Sequence, residues 1–112
     1  MPYVLGIDPG FSGGLALLDL TGEVVALSAM PSTGSKPREI DVAKLLEFVA
    51  HHRQRDSIAL VVLERASPRP TDGRIQSFAT GCNYGEVRGV IKALGLPLEV
   101  CSVMNGVILG LK

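Results

Sequence analysis

Apolar and polar positions along this chain fall into blocks whose period changes, and the changes predict its elements. Tyr3-Val4-Leu5-Gly6-Ile7 is an apolar run ending in Asp8, and Ile58-Ala59-Leu60-Val61-Val62-Leu63 is a second, ending in Glu64. Short continuous apolar runs read as strands buried on both faces, the kind that lie in the middle of a sheet. Leu15–Leu20 and Glu23–Leu27 read as two more strands, joined by Thr21-Gly22, which fits a tight hairpin. The period then shifts. Val42, Leu45, Leu46 and Val49 recur at i, i+3, i+4 and i+7, the stripe of an amphipathic helix. Glu39 and Asp41 stand at its start and His51, His52 and Arg53 at its end, an order that suits the helix dipole. The two histidines read as solvated residues of the helix end. A second helix is predicted from Arg74 to Leu94, stopped by Gly95-Leu96-Pro97, and Leu98–Val103 reads as a fifth strand. Pro9–Gly14, Met30–Arg38 and Ala66–Gly73 carry the Gly and Pro of loops. The order βββαβαβ predicts an α/β protein with a mixed five-stranded sheet: three antiparallel strands, then two parallel ones added through helical crossovers.

Composition adds bounds to this picture. A length of 112 residues suits one small domain, residues 1–112, and an apolar content of 46% supports a packed core. Trp is absent and aromatics make up 4%, so that core is aliphatic. The start Met1-Pro2-Tyr3 lacks the basic segment of a secretory signal, and no apolar stretch has the length of a membrane span. The expectation is a cytoplasmic protein without a membrane partner. Cys82 and Cys101 share no metal-like spacing and are expected to be reduced and buried, with a structural disulfide as the alternative.

Net charge is zero, but its distribution is uneven. Residues 1–30 hold Asp8, Asp19 and Glu23 and no Lys or Arg, whereas residues 65–92 hold Arg65, Arg69, Arg74, Arg88 and Lys92 against Asp72 and Glu86. That is the layout of a metal site beside a phosphate-binding surface. Asp8 and Glu64 are the candidate site. Each closes a buried strand, and central strands bring their ends together. Two carboxylates so placed repel unless a cation neutralises them, and Mg²⁺ suits one or two carboxylates completed by substrate phosphates. Such a site suits cutting a phosphodiester. The alternative is that Asp8 only starts the turn at Pro9-Gly10 and Glu64 only ends a strand.

Gly6-Ile7-Asp8-Pro9-Gly10 followed by Gly13-Gly14-Leu15-Ala16 resembles the opening of RuvC-type Holliday junction resolvases, within the RNase H-like superfamily. Met30-Pro31 before a basic loop, Asp41 opening a helix, and Ser77-Phe78-Ala79-Thr80-Gly81-Cys82-Asn83-Tyr84-Gly85 resemble phage-borne members. The resemblance implies a Mg²⁺- or Mn²⁺-dependent endonuclease acting on branched DNA as a two-fold dimer. Asp8 would bridge two ions, Glu64 would hold one of them, and the products would carry a 5′ phosphate and a 3′ hydroxyl. The family also supplies one or two carboxylates from a last helix. Here Met104–Lys112 contains no Asp or Glu, and Met104-Asn105-Gly106-Val107 stands where relatives carry a Pro and a Trp-Lys pair. The expectation is a site without that last helix, in a truncated or naturally short chain.

On a helical wheel of about 100° per residue, Arg74, Gly81, Gly85, Arg88 and Lys92 form one stripe, with Val87, Val90, Ile91 and Leu94 opposite. The stripe reads either as a phosphate-backbone contact or as helix–helix packing, internal or between copies. Arg65 and Arg69, on the loop directly after Glu64, are the stronger DNA candidates. Two other functions stay open. One is a fragment of an actin-like or sugar-kinase-like ATPase, whose phosphate hairpin is similar. The other is a non-catalytic module that binds branched DNA or a protein without cutting.

Overall fold

The computed structural model describes residues 2–34, 38–55 and 57–102. Five strands, β1 (Pro2–Asp8), β2 (Gly14–Leu18), β3 (Val24–Ala29), β4 (Ser57–Glu64) and β5 (Leu98–Cys101), alternate with helices α1 (Val42–Arg55) and α2 (Arg74–Ala93) in the predicted order. They form one sheet, ordered β3-β2-β1-β4-β5. The β1–β2 and β2–β3 pairs are antiparallel; β1–β4 and β4–β5 are parallel. The two runs ending in acids are thus central neighbours, as their continuous apolar character requires.

Strand alternation sorts the sheet into two faces. Leu17, Leu5, Val61 and Leu98 lie in one register row, and Leu15, Ile7, Leu63 and Val100 in the next. These rows face both helices. Leu5, Ile7, Leu15, Leu17, Val61 and Leu63 are fully buried in a cluster with Leu45 and Val49 of α1 and Val87 and Ile91 of α2. A buried Leu, Ile or Val contributes about 1.5–3 kcal/mol relative to exposure, so this cluster is the main force holding the helices down. The other face carries Val4, Gly6 and Asp8 of β1 and Leu60, Val62 and Glu64 of β4, and the site lies on it.

Boundaries move where local chemistry overrides periodicity. Leu15–Leu20 was expected as a strand, but β2 ends at Leu18 because Asp19 organises the turn. Asp19 Oδ1 accepts the Thr21 N–H (2.9 Å), the Thr21 hydroxyl (2.6 Å) and the Glu23 N–H (3.0 Å). Gly22 takes φ +90°, a conformation open to glycine at little cost. The Thr21 hydroxyl is the first cause holding the Asp19 carboxyl below its ordinary value of 3.8. A depressed carboxylate stabilises the fold above its unfolded pKa, and that contribution is lost as pH falls through the folded value. Amide exchange at Thr21 and Glu23 is therefore expected to accelerate as pH is lowered below 3.8, beyond the intrinsic acid dependence. Asp19→Asn should remove that extra slope, and an unchanged slope would refute the assignment.

Asp41, placed at the start of this helix by the sequence, caps it: its Oδ1 accepts the Lys44 N–H (3.1 Å) while its carbonyl accepts the Leu45 N–H (3.0 Å). Gly95, at φ +71°, ends α2 and donates its N–H to the Lys92 carbonyl (3.0 Å). The fifth strand is described to Cys101; its expected end at Val103, and residues 104–112, lie outside the described residues.

Three expectations are corrected. Cys82 is exposed and Cys101 half-buried, because Cys82 lies on the side of α2 opposite its buried Val87 and Ile91. His52 is half-buried rather than solvated: its ring lies 4.6 Å from Phe48 and 4.8 Å from His51. Among the described residues nothing packs against Gly81, Gly85 or Gly89, since a Cβ on any of them would meet open space, so the internal-packing reading of the stripe falls away there.

Candidate active site

The β1–β4 register sets Ile7 beside Leu63, so the next residues, Asp8 and Glu64, end adjacent parallel strands side by side. Alternation puts both on the face away from the buried Ile7 and Leu63. Both are half-buried and line one cleft of about 710 Å³, with Pro9, Gly10, Arg65, Arg69 and Asp72 among its other residues.

The turn after β1 fixes Asp8. Its Oδ1 accepts the Gly10 N–H (3.2 Å), so the turn-starting role weighed for this residue holds alongside its place in the cleft. Gly13 folds back onto it: a Cβ there would sit 2.7 Å from Asp8 Cγ and Oδ1, and nearer still to the Asp8 carbonyl oxygen. Gly13 is not at positive φ, so the need is for space rather than for an unusual backbone. Gly14, paired with Asp8 across the β1–β2 ladder, is pressed against β3 instead: its Cβ would lie 2.9 Å from the Ser28 carbonyl oxygen. The far side of the turn is held by Phe11, whose ring lies 4.7 Å under the Arg38 guanidinium.

Glu64 pairs in register with Cys101 of β5. Burial pushes the Cys101 thiol up first, and the Glu64 carboxylate beside it adds to the rise. The thiol stays protonated near neutral pH and contributes no charge to the cleft.

The five basic candidates separate into two groups. Arg65 and Arg69 line the cleft. Arg74, Arg88 and Lys92 are exposed on α2. The cleft-facing residues of that helix are Gln76 and Thr80. Counting about 100° per residue, Arg74 and Lys92 lie roughly 120–160° around α2 from them, away from the two acids, whereas Arg88 lies roughly 80° from Thr80, on the flank of the helix. Asp72 entered the sequence reading only as part of a charge balance, and the structure brings it into the cleft. Its Oδ2 accepts the Arg69 N–H (2.8 Å), and its own N–H closes on the Arg69 carbonyl (2.9 Å). An Arg-Pro-Thr-Asp turn signal was present, but nothing in it told which way the loop folds.

Among the described residues, no group of three or more His, Cys, Asp or Glu side chains is close enough to hold a metal ion together. The donor set at the strand ends is two carboxylates. Oxygen donors of that kind fit a hard divalent cation whose remaining positions are filled by water and phosphate.

The sheet order and its two helices define an α/β protein of the RNase H-like class, with a RuvC-like fold. Among solved structures, the chain is similar to Thermus thermophilus RuvC in complex with a Holliday junction substrate: 18% identity, TM-score 0.65, covering 90% of this chain and 64% of that one. It is also similar to another Thermus thermophilus RuvC structure: 18% identity, TM-score 0.59, covering 88% of this chain and 60% of that one. The chain thus spans less than two thirds of the length of either. No protein-family profile matches the chain, and no curated protein matches significantly. Among the described residues, no helix is long and apolar enough to cross a membrane.

Proposed function

We propose that this chain is the nuclease domain of a metal-dependent, structure-specific DNA endonuclease that cuts Holliday junctions or other branched DNA. One observation carries the reading: Asp8 and Glu64 end adjacent parallel strands on one face of the sheet and share a cleft with Arg65 and Arg69. The likeness to a RuvC solved with a Holliday junction substrate supports the choice of substrate.

Asp8 and Glu64 would hold Mg²⁺, or Mn²⁺ in its place. When bound, such ions activate the attacking water and neutralise charge on the leaving 3′ oxygen. The chain's own residues do the rest. Arg65 and Arg69 bind backbone phosphate and set its register over the acids. Ser67, Gln76, Thr80 and Ser102 offer neutral hydrogen-bonding groups around the cleft. The Gly10 N–H holds one oxygen of Asp8 and so orients the carboxylate.

The working unit is a homodimer. Ile75 is 88% exposed and Phe78 76%, on the stripe of α2 that also carries Cys82, Gly85 and Gly89. Phe78 lies roughly 160° around the helix from both Gln76 and Thr80, so this stripe faces away from the cleft and is free to meet a second copy. Arg74, Arg88 and Lys92 would flank that contact and reach DNA arms beyond the cleft.

A second reading is binding without cutting, since among the described residues the donor set at the strand ends is two carboxylates. A cleavage assay separates them. In Mg²⁺ or Mn²⁺, a four-way junction should be cut to 5′-phosphate products, and Asp8→Asn or Glu64→Gln should abolish cutting. Both variants should retain junction binding, because removing a carboxylate reduces repulsion of phosphate. Normal cutting by both variants refutes the site. Wild-type binding without cutting selects the second reading.

A further inference from the structure

We infer that Arg38 is a further phosphate-binding residue: it takes the DNA backbone on the opposite side of the acid pair from Arg65 and Arg69, so that a strand is held on both sides of the cleft. The inference rests on the reading that this cleft receives DNA, and it stands whether that DNA is cut or only bound.

The sheet decides the placement. β1 runs antiparallel to β2, and β2 to β3, so β1 and β3 run in the same direction, as do β4 and β5 beside them. The segments that follow β1, β3 and β4 therefore leave from one edge of the sheet, the edge at which Asp8 and Glu64 stand. In the order β3-β2-β1-β4-β5, the loop with Arg65 and Arg69 leaves from the β4 side of the pair, and the segment joining β3 to α1 leaves from the β3 side. Two strand spacings of about 4.8 Å separate β3 from β1, on the order of 10 Å, which is about three nucleotides along a DNA strand. Residues 1–34 contain no Lys or Arg, so β1, β2, β3 and their turns supply no cation of their own there. The segment after β3 is what brings one.

That segment is built as a closed loop. Ser32 bridges to Ile40, Thr33 donates its N–H to the Glu39 carbonyl (2.8 Å), the Thr33 hydroxyl accepts the Glu39 N–H (3.0 Å), and Asp41 donates its N–H to the Pro31 carbonyl (2.9 Å). Met30 and Ile40 at its base are buried. The loop is moored to the turn after β1 twice: by the Met30 N–H on the Gly13 carbonyl (3.1 Å), and by the Arg38 side chain itself. The guanidinium lies 4.7 Å over the ring of Phe11, the residue that follows Gly10 of the cleft, and its Nε donates to Ser32 Oγ (3.2 Å). Neither partner is acidic, so the charge is not neutralised by them. The Ser32 bond uses Nε and leaves the two terminal nitrogens, the pair that forks onto a phosphate. A side chain ordered in advance loses less freedom when it binds. Glu39 follows and is exposed as well, so the loop offers one positioned cation rather than a broad positive field. One positioned cation suits one phosphate.

The test measures binding of a labelled four-way junction across a series of KCl concentrations, without divalent ions so that no strand is cut. On duplex DNA each phosphate contact adds about 0.9 to the steepness of log affinity against log salt. Arg38→Gln should weaken binding roughly five- to tenfold at low salt and flatten that slope by about one contact. The loss should be equal for junctions of different sequence, because a phosphate contact carries no base information. Arg38→Lys keeps the charge and should keep the slope. Arg55→Gln removes the same charge from the exposed last residue of α1, two residues before β4 begins at the opposite edge of the sheet, and should leave the slope at its wild-type value. Unchanged affinity and slope in Arg38→Gln, a loss of affinity with no change of slope, or equal flattening by Arg55→Gln would overturn the inference. Arg65→Gln and Arg69→Gln separate that failure from failure of the reading beneath it. If they flatten the slope and Arg38→Gln does not, the cleft takes DNA and only the part given to Arg38 is wrong. A wild type that binds no junction overturns both.

Discussion

Gly13→Ala is expected to cost the protein both stability and the Mn²⁺ binding proposed at Asp8. The added Cβ would stand 2.7 Å from the Asp8 carboxylate carbon and one of its oxygens, and closer to the Asp8 carbonyl, which is backbone and cannot rotate aside. Relief requires the turn to open or the end of β1 to shift. Overpacking of this kind typically costs about 1–3 kcal/mol, and the displacement falls on the residue that would hold the ion. Two neighbouring glycines make the test sharp. At Gly10 the nearest contact of a Cβ is Asp8 Oδ1 at 3.6 Å, an ordinary separation, so Gly10→Ala should leave melting and Mn²⁺ binding near the wild type. At Gly14 the obstacle is the Ser28 carbonyl of β3 at 2.9 Å, so Gly14→Ala should lower the melting temperature but keep Mn²⁺ affinity while folded. Urea denaturation and a Mn²⁺ titration followed by electron paramagnetic resonance read the two effects separately. Wild-type values for Gly13→Ala in both would show that Gly13 does not position Asp8.

Gly85→Leu should convert the proposed dimer into a monomer that is more stable than the wild type, a combination that misfolding cannot produce. The position faces open space within the chain, so the new side chain meets nothing on its own subunit. Replacing Gly within a helix by a good helix former gains up to about 1 kcal/mol. Loss of association then reflects the contact surface alone. Phe78→Asp is the complementary change, removing an exposed aromatic anchor from the same stripe. Sedimentation velocity across a concentration series measures both. A wild type that stays monomeric at high concentration, or a dimer indifferent to both substitutions, would remove α2 from the interface.

The order of elements was legible from periodicity because each element has the pattern its surroundings demand. β1 and β4 carry continuous apolar runs and proved central; α1 carries its i, i+3, i+4, i+7 stripe, of which Leu45 and Val49 are fully buried and Leu46 is exposed. Asp8 and Glu64 were legible as a pair for the same reason: a residue that closes a buried strand has its position fixed by the sheet. Asp72 was not, since its place depends on how a loop with Pro68 and Pro70 folds back over the strand ends. The half-burial of His52, by contrast, was legible in the spacing: it stands three residues after Val49 and seven after Leu45, on the buried side of α1. The wheel placed Arg74, Arg88 and Lys92 on one side of α2, but the side that looks into the cleft emerged only with the sheet in place.

The parallel pairing of β1 with β4 also bears on when the site comes into being. The β1–β2–β3 meander joins neighbours in sequence and closes short loops, so it can form early. Asp8 meets Glu64 only after a long crossover through α1 has closed, and pairings of high sequence separation are the slow part of folding. A nascent chain that has made only the meander holds one carboxylate and no site. The metal affinity proposed for this pair would then be a property of the completed topology, and by mass action a bound divalent ion would stabilise the native chain over every earlier species.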